Sequence, residues 1–206
     1  MRKLLFILFL GSFIAGCAIT VPITKEEPYS FIHFENSLTI LVAQLKDTRS
    51  NKRDIGGVGL GYFVVDVDIP AEIHNKILKQ LAEQKFNIKV LPSETISDLI
   101  ETEKIKDVIR ENSANAMFLA ELEQFEIPRG ADATFQTTDL VSRLFVSFFD
   151  SDGIKIYQNK IMFTAKRYFG LATIGPAKDL VEDSMGGIVD KLFDDHEFIK
   201  ALESIR

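Results

Sequence analysis

One cysteine, no tryptophan and three histidines are what this 206-residue chain has least of, and each scarcity removes a chemistry. A single thiol cannot close a disulfide within the chain, so the fold has to be held by its apolar core. Seventeen phenylalanines without a tryptophan suit a packed core better than a sugar-stacking platform. His33, His74 and His196 lie far apart, without the spacing of metal ligands, and read as solvated or capping side chains. His196-Glu197 does not open an HExxH motif, because Lys200 stands where the second histidine belongs. No metal is expected.

Positive charge is also short, with 24 Lys+Arg against 30 Asp+Glu and a net charge of −6. Nucleic-acid binding needs clustered basic residues to neutralise phosphates, so no nucleic-acid partner is expected. Catalytic signatures are missing as well. In GGVGLG, Gly56 to Gly61, a GxGxxG frame started at Gly57 ends on Tyr62, and no GK[ST] occurs, so the stretch reads as a flexible loop between strands. Asp150 and Asp152 resemble a calcium loop, but its first ligand would be Phe148 and its twelfth residue Asn159. Ser184 fails GxSxG, since Glu182 stands two positions before it. No catalytic residue, no cofactor and no enzyme activity are expected. A hydrolase built on a paired carboxylate is the remote alternative, which spacing alone does not reveal.

The chain opens with MRK and then LLFILFLGSFIAG, about thirteen residues that are mostly apolar. A membrane-crossing helix needs about 20, and Thr20, Pro22 and Lys25 end this run early. A positive start, a short apolar region and small residues before a cut describe a secretory signal. Ile14-Ala15-Gly16-Cys17 resembles a bacterial lipobox, an aliphatic residue and two small ones before a cysteine. That resemblance implies diacylglyceryl transfer to the Cys17 sulfur, cleavage between Gly16 and Cys17, and acylation of the new amino group. The lone cysteine is then a lipid attachment point. One acyl chain binds marginally and two hold stably, so the three implied here would anchor the protein essentially irreversibly. Ala18, rather than an aspartate, follows the cysteine and leans toward the outer membrane.

Residues 1–16 are thus expected as signal peptide, 17–36 as lipidated terminus and tether, and 37–206 as a single domain. Removing Arg2 and Lys3 with the signal leaves 22 basic against 30 acidic residues, a net charge of −8. AITVPITKEEPYSFIHFEN, after the cysteine, has two prolines and no periodicity. Its alternative role is an edge segment in which PYSFIHF packs across the domain.

Within the domain, SLTILVAQLKD (Ser37 to Asp47) predicts a strand apolar on both faces, inside a sheet. GLGYFVVDV predicts a short strand. Ile69, Ile73, Ile77 and Leu81 set one face of a helix over Ile69 to Phe86, with Pro70 in its first turn. NIKVLPS predicts a strand, and ISDLIETEKIKDVIRENS one helix or two. Ala116 to Ile127, Asp139 to Gly153 and IKIYQNKIMFTAKRYF predict three long strands. DSDG turns the last pair as a hairpin, and PRGADATFQTTD forms a long loop before it. Ala177, Leu180, Val181, Ser184, Ile188, Val189 and Leu192 make the core stripe of a closing helix, weakened by Gly186 and Gly187. The order gives an α+β fold, a mostly antiparallel sheet with helices packed on one face.

DTRSNKRDIG, Asp47 to Gly56, is the candidate interaction loop. Asp47 closes a strand and can accept from turn amides, while Arg49 and Arg53 are expected to put charge on an exposed tip. A purely structural Asp-Arg turn is the alternative.

The lipobox, the strand ending in DxR at Asp47 to Arg49 with its glycine-bearing loop, and the helix running into KFNI together resemble the YajG-type uncharacterised bacterial lipoproteins. IVDKLFDDHEFIKALES, Ile188 to Ser204, is similar to that family's closing helix. The resemblance implies a lipid-anchored outer-membrane protein facing the periplasm, without catalytic residues. Similar α+β lipoproteins serve as accessory subunits of envelope transport and secretion machines. The expected function is therefore a non-enzymatic interaction or accessory component with an envelope protein as partner and the membrane held through Cys17. The alternative is a periplasmic lipid- or glycan-binding module with an apolar cleft under the phenylalanine-rich strands.

Overall fold

A computed structural model describes residues 18–35, 37–52, 54–58, 61–92, 102–128, 137–168 and 174–206. Its strands are β1 (Ala18–Val21), β2 (Thr39–Ala43), β3 (Lys46–Asp47), β4 (Asp54–Val58), β5 (Gly61–Val65), β6 (Asn87–Leu91), β7 (Ala116–Glu126), β8 (Thr137–Asp150) and β9 (Lys155–Tyr168). Its helices, among the described residues, are α1 (Ile69–Glu83), α2 (Thr102–Glu111), α3 (Ile174–Phe193) and α4 (His196–Ser204).

The larger sheet runs β6-β2-β7-β8-β9, with β3 added along β7. The long strands are antiparallel, as the sequence predicts: Ala116 faces Asp150, and Thr137 faces Tyr168. The DSDG hairpin forms, with Asp150 Oδ1 accepting from the Asp152 and Ile154 amides at 2.9 Å each and Gly153 at φ +75°. The other half is parallel, β2 pairing in register with both β6 and β7. Parallel neighbours need a crossover, and α1 and α2 supply it. Helical periodicity announces those crossovers, but strand sequence alone does not announce their direction.

Two stretches expected as tether or loop carry strands. The segment read as a tether is built into the fold: β1 pairs in parallel with β5, Ala18 against Tyr62 through Val21 against Val65. Val21 is fully buried, and Ile23 nearly so. The Ile23 amide donates to Asp66 at 2.9 Å and the Thr24 amide to Glu182 at 3.0 Å. The Glu26 carboxylate binds Lys76 and Lys79 on α1, and Asn87 exchanges hydrogen bonds with the Phe34 backbone at 2.7 and 3.0 Å. Two ordered apolar anchors and these polar ties outweigh the loss of chain freedom that a tether would keep. The glycine-rich stretch also departs from a loop, since Gly56, Gly57 and Val58 lie in β4, which pairs with β5 and so joins β1 in a second sheet. Gly56 has φ +91°, and a Cβ there would sit 2.8 Å from the Ile127 carbonyl oxygen, so glycine is required at that crossing.

The main core lies between the larger sheet and α1, α3 and α4. Phe198 of α4 is fully buried, with its ring centroid 5.2 to 6.0 Å from those of Phe118, Phe148, Tyr157 and Phe193. The closing helical run breaks at Asp195, which caps α4 through the Glu197 amide at 2.9 Å. Its other carboxylate oxygen accepts from the Tyr157 hydroxyl at 2.7 Å and Asn159 at 2.9 Å, fastening the break to β9. One helix departs from the expected side: α2 packs Ile105 and Ile109 against Leu41, Met117 and Phe149 on the opposite face. The loop read in PRGADATFQTTD and the start of the helical stretch before Thr102 fall at 129–136 and 93–101, outside the described residues.

Candidate functional site

Gly16 and Cys17, the expected processing and lipidation residues, lie outside the described residues. What the structure fixes is the next residue, because Ala18 already belongs to β1. Three registers show what shares its end of the molecule. Ala18 pairs with Tyr62, beside the point where Val58 and Gly61 pair. The Ile127 amide donates to the Ile55 carbonyl at 2.6 Å, which aligns the end of β7 with β4 and carries Pro128 toward the same end. Thr137 and Tyr168 face each other there, beyond the Glu126–Val141 pair, and α3 begins close by in sequence at Ile174.

The candidate interaction loop is organised differently from the sequence expectation. Arg49 is not on an exposed tip: only 7% of the residue is accessible. Its Nε and Nη2 donate to the two carboxylate oxygens of Asp47 at 2.8 and 2.9 Å, a bidentate fork. Asp47 also accepts from the Arg49 amide at 3.2 Å. Partial burial pushes the Asp47 carboxyl up, but the hydrogen bonds and charge of Arg49 outweigh it and hold it below the ordinary carboxylate value. The structural Asp-Arg turn is what forms, because an arginine two residues after a strand-closing aspartate can fold back onto it. Arg53 lies outside the described residues. Thr48, Ser50, Asn51 and Lys52 are exposed in the loop. Ser50 and Asn51 border an open groove of about 310 Å³ that includes Glu123, Glu126 and Arg143.

A second groove, about 560 Å³, lies between residues 27–34 and the end of α1. Tyr29, Ile32, Phe34 and Ala82 give it apolar walls, and Lys79, Lys85 and Glu83 rim it. Phe31 and Ile32 are 67% and 55% exposed in the same segment. PYSFIHF is legible as an edge segment, but the groove needs α1 as its second wall, and no spacing links the two.

His74 is neither solvated nor capping. It is buried in α1, its Nε2 has no hydrogen-bond partner, and burial pushes its pKa down to about 4. His33 and His196 are exposed. Among the described residues no group of three His, Cys, Asp or Glu side chains is placed to hold a metal ion. Among the same residues no helix is long and apolar enough to cross a membrane.

No protein-family model matches the sequence, and no curated protein matches it. Solved structures do. A Xanthomonas campestris protein, XCC0632 of family-model DUF330, superposes with a TM-score of 0.55 at 11% identity, covering 91% of this chain and 99% of that one. Lipoprotein GNA1162 from Neisseria meningitidis gives a TM-score of 0.43 at 10% identity, over 77% of this chain and 99% of its own. The LpoB C-terminal domain from Salmonella enterica gives 0.31 at 8% identity, over 64% and 87%. The first of these likenesses is one of fold.

Proposed function

We propose that this chain is a bacterial envelope lipoprotein, anchored through acylated Cys17 to the outer membrane and facing the periplasm. It works there as a non-enzymatic interaction or accessory component with an envelope protein as partner. One observation carries the reading: the lipobox at Ile14 to Cys17 ends one residue before the strand that begins the described fold at Ala18. The charge fits as well, since a mature body with net charge −8 has no electrostatic hold on anionic lipid and depends on a covalent anchor.

Labelled palmitate fed to the producing cells should enter the native protein and not Cys17→Ser. Crosslinking in intact cells should then recover one stoichiometric envelope protein with the native chain and lose it with Cys17→Ser. Palmitate-free native protein would sink the anchor, and acylated protein without a specific partner would sink the accessory role.

A lipid-binding module is the second reading, and the groove at Tyr29, Ile32 and Phe34 favours it, apolar walls with a lysine rim suiting an acyl chain and an anionic headgroup. Native mass spectrometry of the purified body would show a co-purified lipid of defined mass if that reading holds. A bare mass would exclude it.

A further inference from the structure

The geometry points to a defined orientation on the bilayer: the end carrying Ala18, Pro128, Thr137 and Tyr168 lies on the phospholipid headgroups, and the Asp150–Gly153 turn stands off. This inference rests on lipidation of Cys17 and deepens it from an address to a docking surface.

Chain geometry leaves little freedom. Adjacent Cα atoms are about 3.8 Å apart, so a lipidated Cys17 stays within one residue of Ala18. Ala18 is not loose, because β1 is paired with β5 along its whole length. Val21 and Ile23, 0% and 7% exposed, hold the strand in the core from the other side. Releasing β1 to create a spacer would expose both side chains and unpair the Ile23 and Thr24 amides from Asp66 and Glu182. The acyl chains therefore emerge from the end of the three-stranded sheet, and that end is held at the glycerol level.

The registers put the rest of the surface there. β3 runs parallel to β7 from Lys46 beside Glu121, and further along Ile127 donates to the Ile55 carbonyl, so the chain from β3 into β4 advances along β7 toward Pro128. The Thr137–Tyr168 pair lies on that side too. Tyr168 is 59% exposed, and a tyrosine ring with its hydroxyl suits the headgroup region. Lys166, exposed beside it, is paired with Asp139 at 3.4 Å. At the opposite end the turn presents Ser151 and Asp152, with Lys106 paired to Asp152 at 2.7 Å and Lys155 exposed beside them, so the position of Ala18, not surface charge, is what separates the two ends. β8 and β9 are 14 residues each, and at about 3.3 Å per residue they hold the two ends about 45 Å apart.

The test uses the full acylated chain, reconstituted in vesicles of phosphatidylethanolamine and phosphatidylglycerol, with Tyr168→Cys or Asp152→Cys labelled by a thiol-reactive fluorophore. Acylated Cys17 takes no label, so labelling of the unsubstituted chain reports on lipidation separately. A nitroxide quencher on the lipid headgroups should quench the label at 168 several-fold more than the label at 152. A ten-residue glycine-serine spacer inserted between Cys17 and Ala18 should abolish that difference while leaving the circular dichroism spectrum unchanged. Equal quenching at the two sites without the spacer, or stronger quenching at 152, overturns the orientation and leaves the anchor standing. Labelling of Cys17 itself overturns both.

Discussion

The two faces of β8 look alike in sequence and differ in the fold. Leu140, Ser142, Leu144, Val146 and Phe148 point to one side, each fully buried under α3 and α4. On the other side Val141, Arg143 and Phe145 are only half-buried, while Ser147 and Phe149, nearer α2, are buried. Both sets are mainly apolar with polar interruptions, so alternation shows that there are two faces without showing which is covered. The interruptions carry the distinction. Ser142 is small enough to be buried while its hydroxyl donates to the Phe163 carbonyl at 3.3 Å, whereas Arg143 keeps its charge in reach of water. The half-covered face also protects itself from the side. Lys160 of β9 lies over the Phe145 ring at 5.6 Å and reaches Glu123 of β7 at 2.9 Å, spanning the three strands.

The sharpest way to break this comparison is to remove one aromatic from each side. Phe198→Ala empties the centre of the covered core and should cost about 3–5 kcal/mol in urea unfolding. Phe145→Ala, on the half-covered face, should cost about 1 kcal/mol, because the ring never leaves water fully. Equal losses would mean that something covers the β8–β9 face in solution.

Acid should act on the covered side through His74. Burial holds its folded pKa at about 4, below the ordinary 6.5, so the neutral form is the one that folds. The contribution is intact above pH 6.5, declines as pH falls from there, and has been lost once pH passes about 4. The full loss is about 3 kcal/mol. Denaturation midpoints measured from pH 7 to 4 should fall more steeply for the native chain than for His74→Phe. Parallel curves would show that water reaches the ring.

The Asp47–Arg49 fork makes a smaller contribution. Asp47→Ala leaves Arg49 in its buried position without a carboxylate, only the Lys52 carbonyl at 3.5 Å still accepting from it, and should cost about 2 kcal/mol at pH 7, where the carboxylate is ionised. Because the Asp47 pKa is held down, the native chain keeps this contribution above about pH 4, the ordinary aspartate value, and loses it as pH falls through the folded value. Urea unfolding of both proteins at pH 7 checks it. A change below about 0.5 kcal/mol would return Arg49 to the role of a free surface charge.

How much of this is legible follows from the same physics. The α+β class, β2 with both faces buried, the DSDG hairpin and the amphipathic α1 are all local patterns, set by residues within a few positions of one another. The docking of the expected tether is not local: β1 is four residues long and its partner β5 begins about forty positions later. Nothing in AITV distinguishes a docked strand from a linker until YFVV is known to lie beside it. The side chosen by α2 is equally remote, since it depends on which way β2 and β7 run. Arg49 reads as exposed because charge usually means exposure, and only the two-residue spacing to Asp47 hints at the fork. At the candidate site, Cys17 is legible because the lipobox is contiguous. The surface around it is not, because β1, β4, β7, β8 and β9 each contribute one end.

Gly186 and Gly187 repeat the comparison between faces at the scale of one peptide bond, and their expected effects are opposite in sign. In sequence both read as weaknesses of the closing helix. A Cβ on Gly187 would lie 2.2 Å from Phe163 Cζ, so this glycine lets α3 seat against β9, and Gly187→Ala should cost about 1–3 kcal/mol as the ring is displaced. A Cβ on Gly186 would meet nothing within 4 Å. There the only cost of glycine is its freedom in the unfolded chain, and Gly186→Ala should stabilise by about 0.5–1 kcal/mol. Opposite shifts in the urea midpoint for adjacent glycines would place the helix–sheet contact on Gly187 alone. A loss at both would mean that the exposed side of α3 is packed against a partner in solution.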